Sequence, residues 1–148
     1  MSELESVSSF RDLLIYKKSR ALSREVFILT RSFPKEETYS LTDQIRRSSH
    51  SMGAQIAEAC AKRRYEKHFV SKLSDADGEQ METQHWLEIA LDCGYLSADR
   101  SKDLLGKWAE IGRMLGGMIA KAGNFCNPAV LSVHEEQAAY IIIPNTEN

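Results

Sequence analysis

Residues 41–60, Leu-Thr-Asp-Gln-Ile-Arg-Arg-Ser-Ser-His-Ser-Met-Gly-Ala-Gln-Ile-Ala-Glu-Ala-Cys, place Leu41, Ile45, Ser48, Met52, Ile56, Ala59 and Cys60 at steps of three and four. That is one unbroken stripe along a helix, with polar and charged residues on the remaining arc. The stripe predicts a helix reaching about Arg63. Ser48, Ser49, Ser51, Gly53, Ala54, Ala57 and Ala59 line its buried edge, so a neighbouring helix can approach closely.

The same periodicity extends in both directions. Upstream, Phe10, Leu13, Leu14, Ala21, Ile28 and Leu29 predict a helix from about Ser9 to Ser32, opened by a Ser9/Asp12 capping box and stopped by Pro34. Downstream, Phe69, Leu73, Ala76, Met81, Leu87 and Ala90 predict a third helix over about Tyr65 to Cys93, ended by Gly94. Gly78 falls inside it, where glycine costs about 1 kcal/mol relative to alanine and points to a close contact. Ser97 is placed to cap a fourth helix with the stripe Leu104, Trp108, Ile111, Leu115, Met118, Ile119 and Ala122, ended by Gly123 and Asn124. Four amphipathic helices of roughly 24 residues, each about 36 Å long and joined by short connectors, pack most simply as antiparallel neighbours. The expected architecture is therefore all-α, an up-down-up-down four-helix bundle over residues 9–123, followed by a C-terminal tail, 124–148. The tail carries the apolar run Ala138-Ala-Tyr-Ile-Ile-Ile143 before Pro144, and docking on a neighbouring subunit is one way to shield that run.

Composition narrows the function classes. Apolar residues make up 43% and charged residues 27% of the 148, as in globular domains. No uncharged apolar run approaches the ~18 residues of a membrane span, and the start, Met1-Ser-Glu-Leu-Glu5, has no signal-peptide pattern, so a cytoplasmic, non-membrane protein is expected. Cys60, Cys93 and Cys126 are odd in number and widely spaced, which fits reduced packing residues better than a disulfide framework or a zinc site. The net charge of −2 conceals a polarity: residues 1–73 hold 14 Lys/Arg against 9 Asp/Glu, and residues 74–148 hold 5 against 12. Such halves serve either two complementary faces of an oligomer or a local nucleic-acid contact.

The string Tyr39-Ser-Leu-Thr-Asp-Gln44-Ile-Arg46-Arg47-Ser-Ser-His-Ser-Met-Gly-Ala-Gln-Ile56-Ala-Glu58-Ala59 resembles a bacterial four-helix-bundle family. That family is encoded by intervening sequences of 23S ribosomal RNA genes and is also called S23 ribosomal protein. The resemblance extends through Phe10, Leu13, Tyr16, Lys17 and Phe33-Pro34 upstream, and through Phe69, Leu73, Ala76, Gly78, Glu82, Leu87 and Gly94-Tyr95 downstream, covering about Phe10 to Ala122. The chain departs from the family pattern at Gly53, Gln55, Ala59 and Glu79, where proline, asparagine, glycine and serine are expected. The resemblance implies a small bundle assembling as a homo-oligomer, commonly a pentameric ring, with an undefined biological role. A similar bundle is the accessory protein of diversity-generating retroelements, where a strongly basic pentamer binds nucleic acid and a reverse transcriptase. The acidic balance here weakens that analogy.

Arg46, Arg47, Lys62, Arg63, Arg64, Tyr65 and Lys67 are the candidate contacts to nucleic acid or to a subunit, the cations for phosphates and Tyr65 for a stacked base. Gln44, Glu58 and Glu82 are expected to be structural polar residues, with the arginines forming ion pairs with Glu82, or the arginines and Glu58 forming ion pairs across a subunit boundary. Glu82-Thr-Gln-His85 has the Glu-x-x-His spacing of di-iron bundles, but His50, His68 and His134 have no glutamate three residues earlier, so the second half-site is missing. No cofactor is expected. With no glycine-rich phosphate loop, no Gly-x-Ser-x-Gly elbow and no Cys/His pairing, an enzyme is not expected either. The sequence reading is a homo-oligomeric interaction scaffold, with a nucleic-acid-binding accessory module as the alternative.

Overall fold

The Ser9/Asp12 capping box forms, but it closes a single 3-10 turn, Phe10–Asp12, rather than the first long helix. The computed structural model describes residues 9–126, with the backbone alone for 124 and 125. Leu13 follows in an extended conformation (φ −69°, ψ 132°), and α1 (Leu14–Thr30) starts without a side-chain cap. This break resets the helical phase. The buried face of α1 is Ile15, Ser19, Leu22, Ser23, Val26 and Thr30, whereas Ala21 and Ile28, expected in the stripe, are exposed, Ile28 by 51%.

A ten-residue connector containing the 3-10 turn Lys35–Glu37 leads to α2 (Leu41–Ala61), whose stripe is buried as its spacing requires up to the half-buried Cys60. Ala54, expected on the buried edge, is exposed because no helix among the described residues packs over that arc. α3 (Glu66–Asp92) ends at Gly94, which adopts φ +77°, with the Tyr95 N–H donating back to the Ala90 carbonyl at 2.9 Å. Glycine reaches this left-handed region without the Cβ clash that other residues suffer. Ser97 caps α4 (Ala98–Ala120) by accepting a hydrogen bond from the Arg100 N–H at 3.1 Å. α4 stops two residues before Ala122, and Gly123 and Asn124 belong to a further short helix, α5 (Ala122–Cys126), packed on α3. The tail beyond residue 126, with its apolar run 138–143, lies outside the described residues.

Consecutive helices pack on one another and α4 closes against α1, the packing order of an up-down-up-down bundle, with no strand among the described residues. α1 and α3 therefore stand at opposite corners. Trp108, Phe69, Ile45, Met52, Leu73, Leu87, Leu104 and Leu115 fill the centre with at most 1% exposure, each stabilising the fold by about 1.5–3 kcal/mol. Phe33, Leu41 and Ala90, with Tyr95 5.3 Å from Phe33, form a smaller cluster over one end.

Backbone approach between α3 and α4 is set at Gly112. A Cβ there would sit 2.7 Å from Gln80 Nε2, and Gln80 is buried and held by Asp77 (2.9 Å) and Gln84 (2.6 Å). Gly78, in contrast, faces open space, so the close contact expected from its sequence position is absent. Gly112→Ala should lower stability by about 1–3 kcal/mol through overpacking. Gly78→Ala should raise it by about 0.5–1 kcal/mol through helix propensity. Urea midpoints of the two variants test this pair of opposite signs.

Candidate interaction surfaces

The predicted basic residues fall into two groups that the fold keeps apart. Arg46 and Lys62 are sixteen residues apart on and beside one helix, about 24 Å along its axis. Arg46 is turned inward: its Nε donates to Thr30 Oγ1 at 2.7 Å, and its guanidinium sits 4.5 Å from the Phe27 ring centroid. It makes a hydrogen bond and a cation–π contact rather than the expected ion pair, and so fastens α2 to α1. Arg47 crosses to α3, with Nη2 2.5 Å from Glu82 Oε1 and Nη1 3.7 Å from Glu79. Neither arginine joins the cluster at the α2–α3 junction.

At that junction Arg64, Tyr65 and Lys67 are exposed, Tyr65 by 65%, while Lys62 and Arg63 are half-buried. Arg63 Nε donates to the Cys60 carbonyl at 3.3 Å, occupying one of the acceptors that end α2. The Tyr65 ring lies 5.7 Å from that of His68 over a shallow depression lined by Lys67, Val70 and the acidic Glu66. Arg64, Tyr65 and Lys67 thus remain as an open basic and aromatic edge.

The polar residues of the α2–α3 seam are mostly accounted for by each other. Glu58 pairs with Lys72 at 2.8 Å, which holds the Glu58 carboxyl below its ordinary pKa. Burial pushes Glu82 up, but hydrogen bonds from Arg47 and from Trp86 Nε1 (3.2 Å) outweigh it and hold the carboxyl low. Burial dominates at Glu79, which is raised despite Arg47. Gln44 is half-buried on the same face of α2 as Arg47. His85 is exposed, its ring 4.7 Å from Trp86, so Glu82 is directed to Arg47 and Trp86 rather than to its i+3 neighbour. Among the described residues no group of three or more His, Cys, Asp or Glu side chains is placed to hold a metal ion.

Sequence reading passed over a row on α1. Lys17, Arg20 and Arg24, spaced i, i+3 and i+7, are all exposed, and among the described residues none has an acidic partner. Arg20, in the middle of the row, also lines a groove of about 350 Å³ between α1 and α2, with Tyr16, Ser19, Ser23, His50 and Gly53. On α3 an outward row, Gly78, Met81, His85, Glu88 and Asp92, is exposed, Met81 by 59%. The spacing of the charges held this signal in both helices, but which arc faces outward is decided for α1 by the break at Leu13 and for α3 by its packing on α2 and α4.

Among the described residues no helix is long and apolar enough to cross a membrane. Burial pushes the Cys60 thiol up to about 11, Cys126 is raised for the same reason, and Cys93 is exposed. A thiol-selective reagent at neutral pH should label Cys93 first and Cys60 last, because thiolate and access are both needed. Mass spectrometry of a labelling time course checks the order.

A carboxyl held above its unfolded pKa favours folding at low pH and loses that contribution as pH rises; one held below does the reverse. Glu79→Gln should therefore gain stability near pH 7 relative to wild type, with the gain fading by about pH 3. Glu82→Gln should lose stability near pH 7, with the loss fading over the same range. Thermal melts at the two pH values separate these signs.

The geometry agrees with what the chain is similar to. The model of the family described as 23S rRNA-intervening sequence protein matches residues 11–117. A crystal structure of a protein of unknown function from the S23 ribosomal protein family of Bacteroides thetaiotaomicron VPI-5482 superposes with a TM-score of 0.67 at 27% identity. That similarity covers 74% of this chain and 98% of the other. No curated protein matches the chain. With the match spanning all four long helices except the last residues of α4, the chain belongs to the 23S rRNA-intervening sequence protein family, whose function is unknown.

Proposed function

We propose that this protein is a non-enzymatic, homo-oligomeric interaction scaffold. The supporting observation is the segregation of charge between opposite corners of the bundle. α1 carries four basic residues and one acidic, net +3, and α3 carries two basic and seven acidic, net −5. Helices of opposite sign that cannot reach one another within one copy favour contact between copies. A pentameric ring is the assembly that the family resemblance implies.

The alternative reading, a nucleic-acid-binding accessory module, is favoured by the exposed Arg64, Tyr65 and Lys67. Cations would take the phosphates and the tyrosine a stacked base. Three residues, with Glu66 among them, make a weak electrostatic footprint on a chain of net charge −2.

Light scattering at low and high salt, with and without a short single-stranded RNA, distinguishes the two. The scaffold reading expects a mass several times the 16.7 kDa of one chain, unchanged by RNA. A monomer that gains mass with RNA and loses it at high salt supports the accessory module instead, because phosphate neutralisation is steeply salt-dependent.

A further inference from the structure

We propose that the cationic row of α1 and the groove beside it seat the outward face of α3 from a second copy of this chain. This rests on the scaffold reading and names its interface. Three observations carry it: unsatisfied charge of opposite sign on two helices, matched surface chemistry, and the diagonal placement that keeps the two faces apart within one copy.

Lys17, Arg20 and Arg24 occupy one face of α1 and, among the described residues, no acidic side chain answers them. Several other cations are paired, Lys18 with Glu110, Lys72 with Glu58, and Lys107 with Glu25 and Asp103, while Arg64 and Lys67 stay open at the α2–α3 junction. On α3, Glu88 and Asp92 are exposed one helical turn apart and, among the described residues, have no cation. Arg20 and Arg24 are also four residues apart, so the two pairs match in spacing along parallel or antiparallel helices. Met81, one turn before His85 on the same face of α3, is 59% exposed, an apolar side chain of a size to enter the α1–α2 groove.

A polyanion would satisfy the α1 face and leave Met81, Glu88 and Asp92 uncovered. A second copy satisfies both faces at once. Because the two surfaces differ, the contact is heterologous: every copy added still presents one open face of each kind until the chain of copies closes on itself.

The test uses the full chain and charge reversal at exposed positions. Light scattering in low salt is run on wild type, on Arg20→Glu/Arg24→Glu, on Glu88→Lys/Asp92→Lys and on the fourfold variant, with circular dichroism melts confirming that each folds. The proposal expects either double reversal to reduce the assembly to a single copy. The fourfold variant, in which both faces are reversed together, should regain at least half of the wild-type assembly. Wild-type mass in both double variants overturns this interface while leaving the scaffold reading intact. Loss without recovery in the fourfold variant overturns it too, as does an α1 reversal that alters only retention of a short RNA. A wild-type chain that is a monomer at every salt concentration overturns the interface and the scaffold reading together.

Discussion

The close seam between α2 and α3 is the contact around which the other helices are arranged. It exists because α2 turns small residues toward α3 at its centre. Ser48 is fully buried, with Thr83 Oγ1 2.9 Å from its hydroxyl and equally close to the Glu79 carbonyl. Ser48 and Ser49 also lie within hydrogen-bond reach of carbonyls one turn earlier, at 3.3 and 3.1 Å. Buried hydroxyls satisfied in this way avoid the cost of an unpaired polar group, and their size lets the helix axes approach. Leucine at position 48 would have to displace Thr83.

That approach places the longer polar residues at the rim of the seam. Arg47 reaches Glu82 and Glu79, Lys72 reaches Glu58, and the Trp86 indole closes over Glu82. These pairs are partly exposed and individually worth little, about 0–1 kcal/mol. Their larger effect is on register, since a helix displaced by one turn would leave Glu79, already short of a partner for one buried carboxylate oxygen, without Arg47 as well. On the other side of α2, Arg46 performs the same task toward α1 by stacking on Phe27 and bonding Thr30.

Once α2 is committed on both flanks, α1 and α3 are fixed at opposite corners, and their outer faces become the surfaces the bundle presents. Charge left unpaired on those faces is what the fold offers to other molecules. Gly112 has the corresponding role between α3 and α4, where a hydrogen in place of a methyl leaves room for the buried Gln80 chain.

The amino-acid sequence alone determined the helical class, the order of four long helices, the buried stripes of α2 and α4, the Ser97 cap and the Gly94 stop. Each depends on neighbours a few residues away, through periodicity, capping hydrogen bonds or a left-handed φ. It also carried the family resemblance in the α2 string. Tertiary structure decided what depends on packing between distant segments. The Ser9 box proved to cap a separate turn, and the extended Leu13 shifted the α1 face, exposing Ala21 and Ile28. Met81 fitted the α3 stripe by rough spacing yet points outward, while Gln80 and Thr83, polar and unremarked in the sequence, are buried because α4 and α2 supply their surroundings. The candidate cations divided for the same reason: residue type marks a charge, but only the packed neighbours determine whether it is consumed inside the bundle, as at Arg46 and Arg47, or left at its surface, as at Arg64 and Lys67.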